Sequence, residues 1–158
     1  MRTTRSSAFG LVLWLLAALA AGLIGSQFMP GEWYASLAKP SWNPPSSVFG
    51  PVWTILYLLM GIAAWMVWRD AGFSGARLAL SLFIVQLVLN ALWSYLFFGL
   101  QQPMLAFVEI IVLWCAILAT LLAFWQVRPL AGALLIPYLC WVSFAAALNY
   151  QLWRLNIQ

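Results

Sequence analysis

Scarcity of charge is what most constrains this chain. Its Asp, Glu, Lys and Arg residues are Arg2, Arg5, Glu32, Lys39, Arg69, Asp70, Arg77, Glu109, Arg128 and Arg154, and all but Glu109 fall between or outside long apolar runs. A soluble domain carries about 25% charged residues. At 6% charged and 66% hydrophobic, this chain cannot solvate its surface, which excludes a soluble globular fold. A bilayer span takes roughly 20 apolar residues, and the sequence offers five such runs, at about 6–29, 51–68, 78–99, 104–125 and 130–153. The expected fold is therefore an all-α integral membrane protein: a single domain, a bundle of five transmembrane helices, with a structured loop over 30–50. Pro51 suits the first turn of its helix, where a missing N–H costs nothing. The first run is long and is not followed by a cleavage site and polar mature domain, so it reads as a retained helix and not as a signal peptide.

The same scarcity excludes several chemistries. There is no His, and Cys115 and Cys140 lie in separate apolar runs, which argues against zinc sites, His-ligated haem and Ser-His or Cys-His catalysis. No metal site is expected. The net charge of +4 comes from scattered residues, so it reads as membrane topology and not as nucleic-acid affinity. Five spans put Arg2, Arg5, Arg69, Arg77 and Arg128 on one side and Lys39 and Arg154 on the other. That imbalance predicts a cytoplasmic N-terminus in a cell membrane, bacterial by expectation. An odd number of spans also disfavours the inverted repeats of many secondary transporters.

One connection is far longer than the rest. Residues 30–50 contain Pro40, Pro44 and Pro45 together with Trp33, Tyr34 and Trp42. Proline fixes φ and extends the residue before it, so the loop can hold its aromatics in set positions, as a ligand lid or as an interfacial aromatic belt. Within the runs, helical spacing puts Trp53 and Tyr57 on one face, Gln86, Asn90, Trp93 and Phe97 on another, and Trp141, Ala145 and Leu148 on a third. Amides facing lipid are costly, so Gln86, Asn90 and Asn149 are expected to point inward, either to clamp helices or to line a cavity. Glu109, an intramembrane carboxyl about one and a half turns into its helix, is a functional candidate, or else reaches interfacial water or stays protonated. Small residues at Ala18-x-x-x-Gly22, Ala21-x-x-x-Gly25 and Gly75-x-x-x-Ala79 allow close helix approach, either between two copies as a homodimer or within one bundle.

These residues form ordered motifs: Trp33-Tyr34-x-x-Leu37-x-Lys39-Pro40-Ser41-Trp42-x-Pro44-Pro45, Trp53-x-x-Leu56-Tyr57-x-x-Met60-Gly61, Gln86-x-x-x-Asn90-x-x-Trp93-Ser94-x-x-Phe97-Phe98, and Pro137-Tyr138-x-x-Trp141-x-x-Phe144-Ala145-x-x-Leu148-Asn149-x-x-x-Trp153-x-x-Asn156. Over nearly its whole length the chain resembles the translocator protein family, also called tryptophan-rich sensory proteins or peripheral benzodiazepine receptors. The resemblance implies a five-helix bundle, commonly dimeric, that binds porphyrins and, in animals, cholesterol and benzodiazepine-site drugs. It implies a ligand site drawn from Trp33, Tyr34, Lys39, Trp42, Trp53, Tyr57, Gln86, Asn90, Trp93, Tyr138, Trp141, Phe144, Ala145 and Leu148. A porphyrin is planar and apolar with carboxylate tails, so it suits aromatic walls below a lid with a cation at the rim. Without His, a metal-free ligand such as protoporphyrin IX, held without axial coordination, is the natural expectation. No obligatory cofactor is expected.

Some family members are reported to degrade protoporphyrin in light, and the tryptophans matching those implicated are Trp33 and Trp141. Leu148-x-Tyr150-x-x-x-Arg154 fits a loose sterol motif, or else simply anchors the last helix at the interface. Three functions follow as alternatives: a tetrapyrrole sensor or scavenger, a light-dependent porphyrin-degrading enzyme, and a transporter of porphyrins or sterol-like lipids.

Overall fold

The computed structural model describes residues 4–157, with side chains from Ser7 onward. Arg2 and the side chain of Arg5, counted above towards a cytoplasmic N-terminus, lie outside the described residues. The helices run α1 Thr4–Gly25, α2 Glu32–Ser36, α3 Ser46–Gly75, α4 Arg77–Ser94, α5 Pro103–Val127, α6 Pro129–Ala133 and α7 Ile136–Leu155, and a π-helical turn, Tyr95–Gly99, extends α4. Among the described residues there is no strand. Five segments are long and apolar enough to cross a bilayer: Ser7–Gly25, Ser46–Gly75, Arg77–Gly99, Pro103–Val127 and Pro129–Leu155. The protein is an all-α integral membrane protein.

Two boundaries differ from the sequence expectation. α3 starts at Ser46, directly after Pro45 in extended conformation, so Pro51 lies inside the helix and not in its first turn. The loop is shorter by the same residues. At the other end α3 continues past Arg69 and Asp70 until Gly72, whose φ of 69° and ψ of 174° break the helical path. An L side chain rarely adopts that conformation, whereas glycine does so freely. The last span is interrupted at Leu134 and Leu135, between α6 and α7. Pro137 has no N–H to give the carbonyl four residues back, which accounts for the break.

The core follows helical periodicity. Met60, Ala63, Ala64 and Val67 of α3 are fully or almost fully buried against Leu80 and Phe83 of α4 and Leu113, Ile117 and Phe124 of α5. Phe83 stacks on Phe124 at 5.7 Å. The outer faces stay apolar as well, with Phe9, Leu16, Leu23, Leu78 and Val88 exposed, as a surface facing hydrocarbon requires.

In lipid, helices associate through close packing and polar contacts more than through apolar burial. α1 packs on α3 and α4 in this way. A Cβ on Gly61 would lie 2.8 Å from the Leu15 Cα, and one on Gly22 would lie 2.6 Å from the Tyr57 ring. Ala18 and Ala21 are buried on the same side. The helix 1 small-residue face, read above as serving either a homodimer or one bundle, packs within the bundle. Ala79 is buried too. At the α3–α5 end, Asp70 takes a 2.9 Å contact from Arg128 and a 3.3 Å contact from Arg69, and the Arg69 guanidinium lies 4.6 Å over the Trp65 ring.

Candidate functional site

The segment between α1 and α3 is folded against the bundle by a few specific contacts. Trp33 and Tyr34, both on α2, set their rings edge-on to Phe97 at 5.7 and 6.2 Å, and Tyr34 also meets Phe98 at 5.6 Å. The π-helical turn is what presents Phe97 and Phe98 to the loop, consistent with π turns clustering at functional sites. Trp42 meets Phe144 at 5.7 Å. Asn156, just beyond α7, donates to the Ala38 carbonyl and accepts from the Ala38 N–H, both at 2.9 Å. Burial pushes the Tyr34 phenol above its ordinary range, partly opposed by its hydrogen bond to Asn43.

Below this loop lies a cavity of about 1220 Å³ between α1, α3, α4 and α7. Its walls include Trp53, Trp93, Trp141, Phe28, Phe49, Phe97 and Phe98, and its polar lining includes Tyr57, Asn90, Ser94 and Asn149. Trp141 packs between Phe49 at 5.8 Å and Phe144 at 5.4 Å. Its buried indole N–H has no hydrogen-bond partner. Trp53 stacks on Tyr57 at 5.5 Å.

A one-way hydrogen-bond chain forms the floor. Tyr57 donates to the Asn90 Oδ1, Asn90 Nδ2 donates to the Tyr138 hydroxyl at 3.0 Å, and Tyr138 donates to the Gln86 Oε1 at 2.8 Å. Gln86 Nε2 ends the chain against the Met60 sulfur at 3.9 Å. A second pair closes the wall: Trp93 Nε1 donates to Asn149 Oδ1 at 3.0 Å, and Asn149 Nδ2 donates to the Pro103 carbonyl at 2.8 Å. Asn90 and Asn149 thus both clamp helices and line the cavity, so the two roles left open from sequence coexist.

Of the residues expected from sequence, Tyr34, Lys39, Trp53, Tyr57, Asn90, Trp93, Trp141, Ala145 and Leu148 line the cavity. Gln86 and Tyr138, the buried end of the floor's hydrogen-bond chain, do not line the cavity, and Phe144 backs Trp141 and Trp42. Trp33 and Trp42 belong to the loop's outer packing and not to the lining. Lys39 reaches the rim but gives its ammonium to the carbonyls of Tyr34, Ala35 and Leu37 at 2.6, 3.1 and 3.0 Å. It lies 4.9 Å over the Tyr34 ring and so caps the C-terminal end of α2.

The sterol motif is split by helix geometry. Leu148 is buried toward the cavity, while Tyr150 is exposed beside Phe107 at 5.3 Å and Trp153 at 5.9 Å. Two residues along a helix turn about 200°, so one sterol cannot lie against both. Sequence reasoning missed Phe28, Phe49 and the helix 1 face around Gly22 as lining residues. Only Phe49 had a local signal, an aromatic at the end of the proline-rich loop. Among the described residues no cluster of His, Cys, Asp or Glu could hold a metal ion.

Known proteins match over the same span. Residues 11–154 match the sequence model of the TspO/MBR family. The chain is 47% identical to the tryptophan-rich protein TspO of Chlorobaculum tepidum, over 87% of this chain and 90% of that protein. It is 46% identical to the translocator protein of Homo sapiens, over 84% and 82% of the two chains. It is 41% identical to the protein CrtK of Rhodobacter capsulatus, over 91% of each. With its five spans and aromatic cavity, the chain belongs to the TspO/MBR family.

Proposed function

We propose that this membrane protein binds a planar tetrapyrrole, of which protoporphyrin IX is the type ligand, in the cavity under its first loop, and acts as a sensor or scavenger of such compounds. The observation that carries this reading is the 1220 Å³ cavity walled by Trp53, Trp93 and Trp141 over the Tyr57–Asn90 floor. A flat macrocycle matches flat aromatic walls. The N-terminus faces the cytoplasm of a bacterial cell in this reading.

Dark titration of the purified protein with protoporphyrin IX tests it. Tryptophan fluorescence should be quenched saturably in the micromolar range, and a folded Trp53→Ala, Trp141→Ala double variant should lose the effect. Unchanged quenching in that variant refutes the site. Light-dependent oxidation of the bound porphyrin by dioxygen is a second activity we propose, because an indole in the wall can donate an electron to the excited macrocycle, which passes it on to dioxygen as the oxidant. Trp141 holds that position and Trp33 does not, so Trp141→Phe should slow bleaching under illumination in air far more than Trp33→Phe. The opposite order refutes the assignment.

A further inference from the structure

We propose that Glu109 is a proton-binding site built into the bundle, whose proton is coupled to occupancy of the cavity through Tyr138, Asn90 and Tyr57. Glu109 is 8% exposed, and neither carboxyl oxygen has a hydrogen-bond partner. Every other buried carboxamide and hydroxyl in the bundle's polar floor and wall is paired: Gln86, Asn90, Asn149, Tyr57 and Tyr138 all are. A carboxylate left unpaired in a membrane interior neutralises by holding a proton. Because the buried amides and hydroxyls of the bundle are already committed to one another, the proton is the ligand this site takes.

The elements packed on α5 are α3, α4 with its π-helical turn, α6 and α7. From them the buried titratable groups are Tyr138, 1% exposed on α7, and Tyr57, two hydrogen bonds further along. Tyr95, Cys115, Cys140 and Tyr150 are exposed on the outer faces. Arg69, Asp70, Arg77 and Arg128 gather at the far end of α5, roughly 25–30 Å away by helical rise. Arg154 is exposed at the end of α7, and Lys39 is bound to loop carbonyls. Among the described residues no cation pairs with Glu109, whereas α7, packed on α5, carries the buried Tyr138 of a hydrogen-bond chain that ends at the cavity surface on Tyr57.

The site itself stands apart from the tetrapyrrole reading, while the coupling rests on it. The test is infrared spectroscopy of the full chain in detergent. The sequence has only three acidic side chains, Glu32, Asp70 and Glu109, so the carbonyl stretch of a protonated carboxylic acid is cleanly assignable. At pH 7, well above the ordinary glutamate value of about 4.3, the empty protein should keep one acid band, and Glu109→Gln should abolish it. A missing band in the parent protein, or one that survives in Glu109→Gln, overturns the proposal. Should Glu109→Gln not fold, a Glu32→Gln, Asp70→Asn variant must retain the band, and its loss is equally fatal.

Coupling is read with octaethylporphyrin, which has no carbonyl of its own. Saturable tryptophan quenching should be accompanied by a shift of the acid band, and Tyr138→Phe should keep the band but remove the shift. Quenching with an unmoved band overturns the coupling. Absence of quenching overturns the tetrapyrrole reading instead, and the band of the empty protein still decides the proton site.

Discussion

Asn156 offers a direct test of what holds the loop down. Its carboxamide pairs with the Ala38 backbone at both ends, through two contacts of 2.9 Å, and is itself oriented by a 2.7 Å bond to the Leu152 carbonyl. These two bonds are the long-range hydrogen bonds from the loop to α7, and no residue of α2 is buried. Each bond contributes about 0.5–1.5 kcal/mol net, so Asn156→Ala should cost the closed loop about 1–3 kcal/mol, a 5- to 150-fold rise in its open population. Exposure of the contact favours the lower half of that range. The assay is hydrogen–deuterium exchange by mass spectrometry in detergent. Exchange should accelerate over residues 31–45 and stay unchanged in the buried stretches of α4 and α5. Asn156→Asp should fall between the two, because it can still accept from the Ala38 N–H but has no donor for the carbonyl. Unchanged loop exchange in Asn156→Ala, or equal acceleration throughout the molecule, refutes the latch.

Gly22→Ala should drive the Tyr57 ring off Asn90, since the new methyl would meet it at 2.6 Å; overpacking of this kind costs about 1–3 kcal/mol, read as a lower melting temperature together with weaker porphyrin quenching. Lys39→Met should loosen α2 and weaken protoporphyrin IX and carboxylate-free octaethylporphyrin by the same factor if the lysine caps the helix, whereas a loss confined to protoporphyrin IX would return Lys39 to the role of a rim cation. Asp70→Asn removes a pair whose side chains are about a third exposed, so thermal stability should change by about 0–1 kcal/mol, and a drop beyond 2 kcal/mol would contradict that. A reporter fused after Gln158 should be active outside the cytoplasm and one before Met1 inside, the reverse result refuting the orientation.

The bundle was legible because one scale governs it: apolar runs long enough to span a bilayer, bounded by the few charges. Inward placement of Gln86, Asn90 and Asn149 was legible for the same reason, since a lone amide has no acceptable place against lipid. Helix ends were less so. Pro51 satisfies the rule for a first turn, but Pro45 satisfies it as the residue before the helix, and the helix takes the earlier start. Which aromatics face the cavity was legible on the helices, where Trp53, Trp93 and Trp141 follow the 3.6-residue period. It was not legible in the loop. Trp33, Tyr34 and Trp42 have no period to obey, and Tyr34 alone of the three reaches the lining. Lys39 illustrates the same limit, because a short helix with free carbonyls close in sequence outcompetes a ligand for its ammonium.

The two halves of the site differ in how they are held, and that difference bears on ligand entry. The floor is a run of buried hydrogen bonds from Tyr57 to Gln86 across α3, α4 and α7, where opening any link leaves polar groups unpaired in hydrocarbon. The cover consists of edge-on ring contacts, one proline-rich turn and the Asn156 pair, and on its own side no residue of α2 is buried. Opening free energies are lowest where buried contacts are few and hydrogen bonds meet solvent, so the loop opens before the floor does. A ligand that touches Tyr34 and the Trp141 wall together then gains its affinity in the closed state alone, and binding must shift the loop toward closure. For the tetrapyrrole proposed above, the rigid floor would then fix which molecules fit, and the lightly pinned cover how fast they enter and leave.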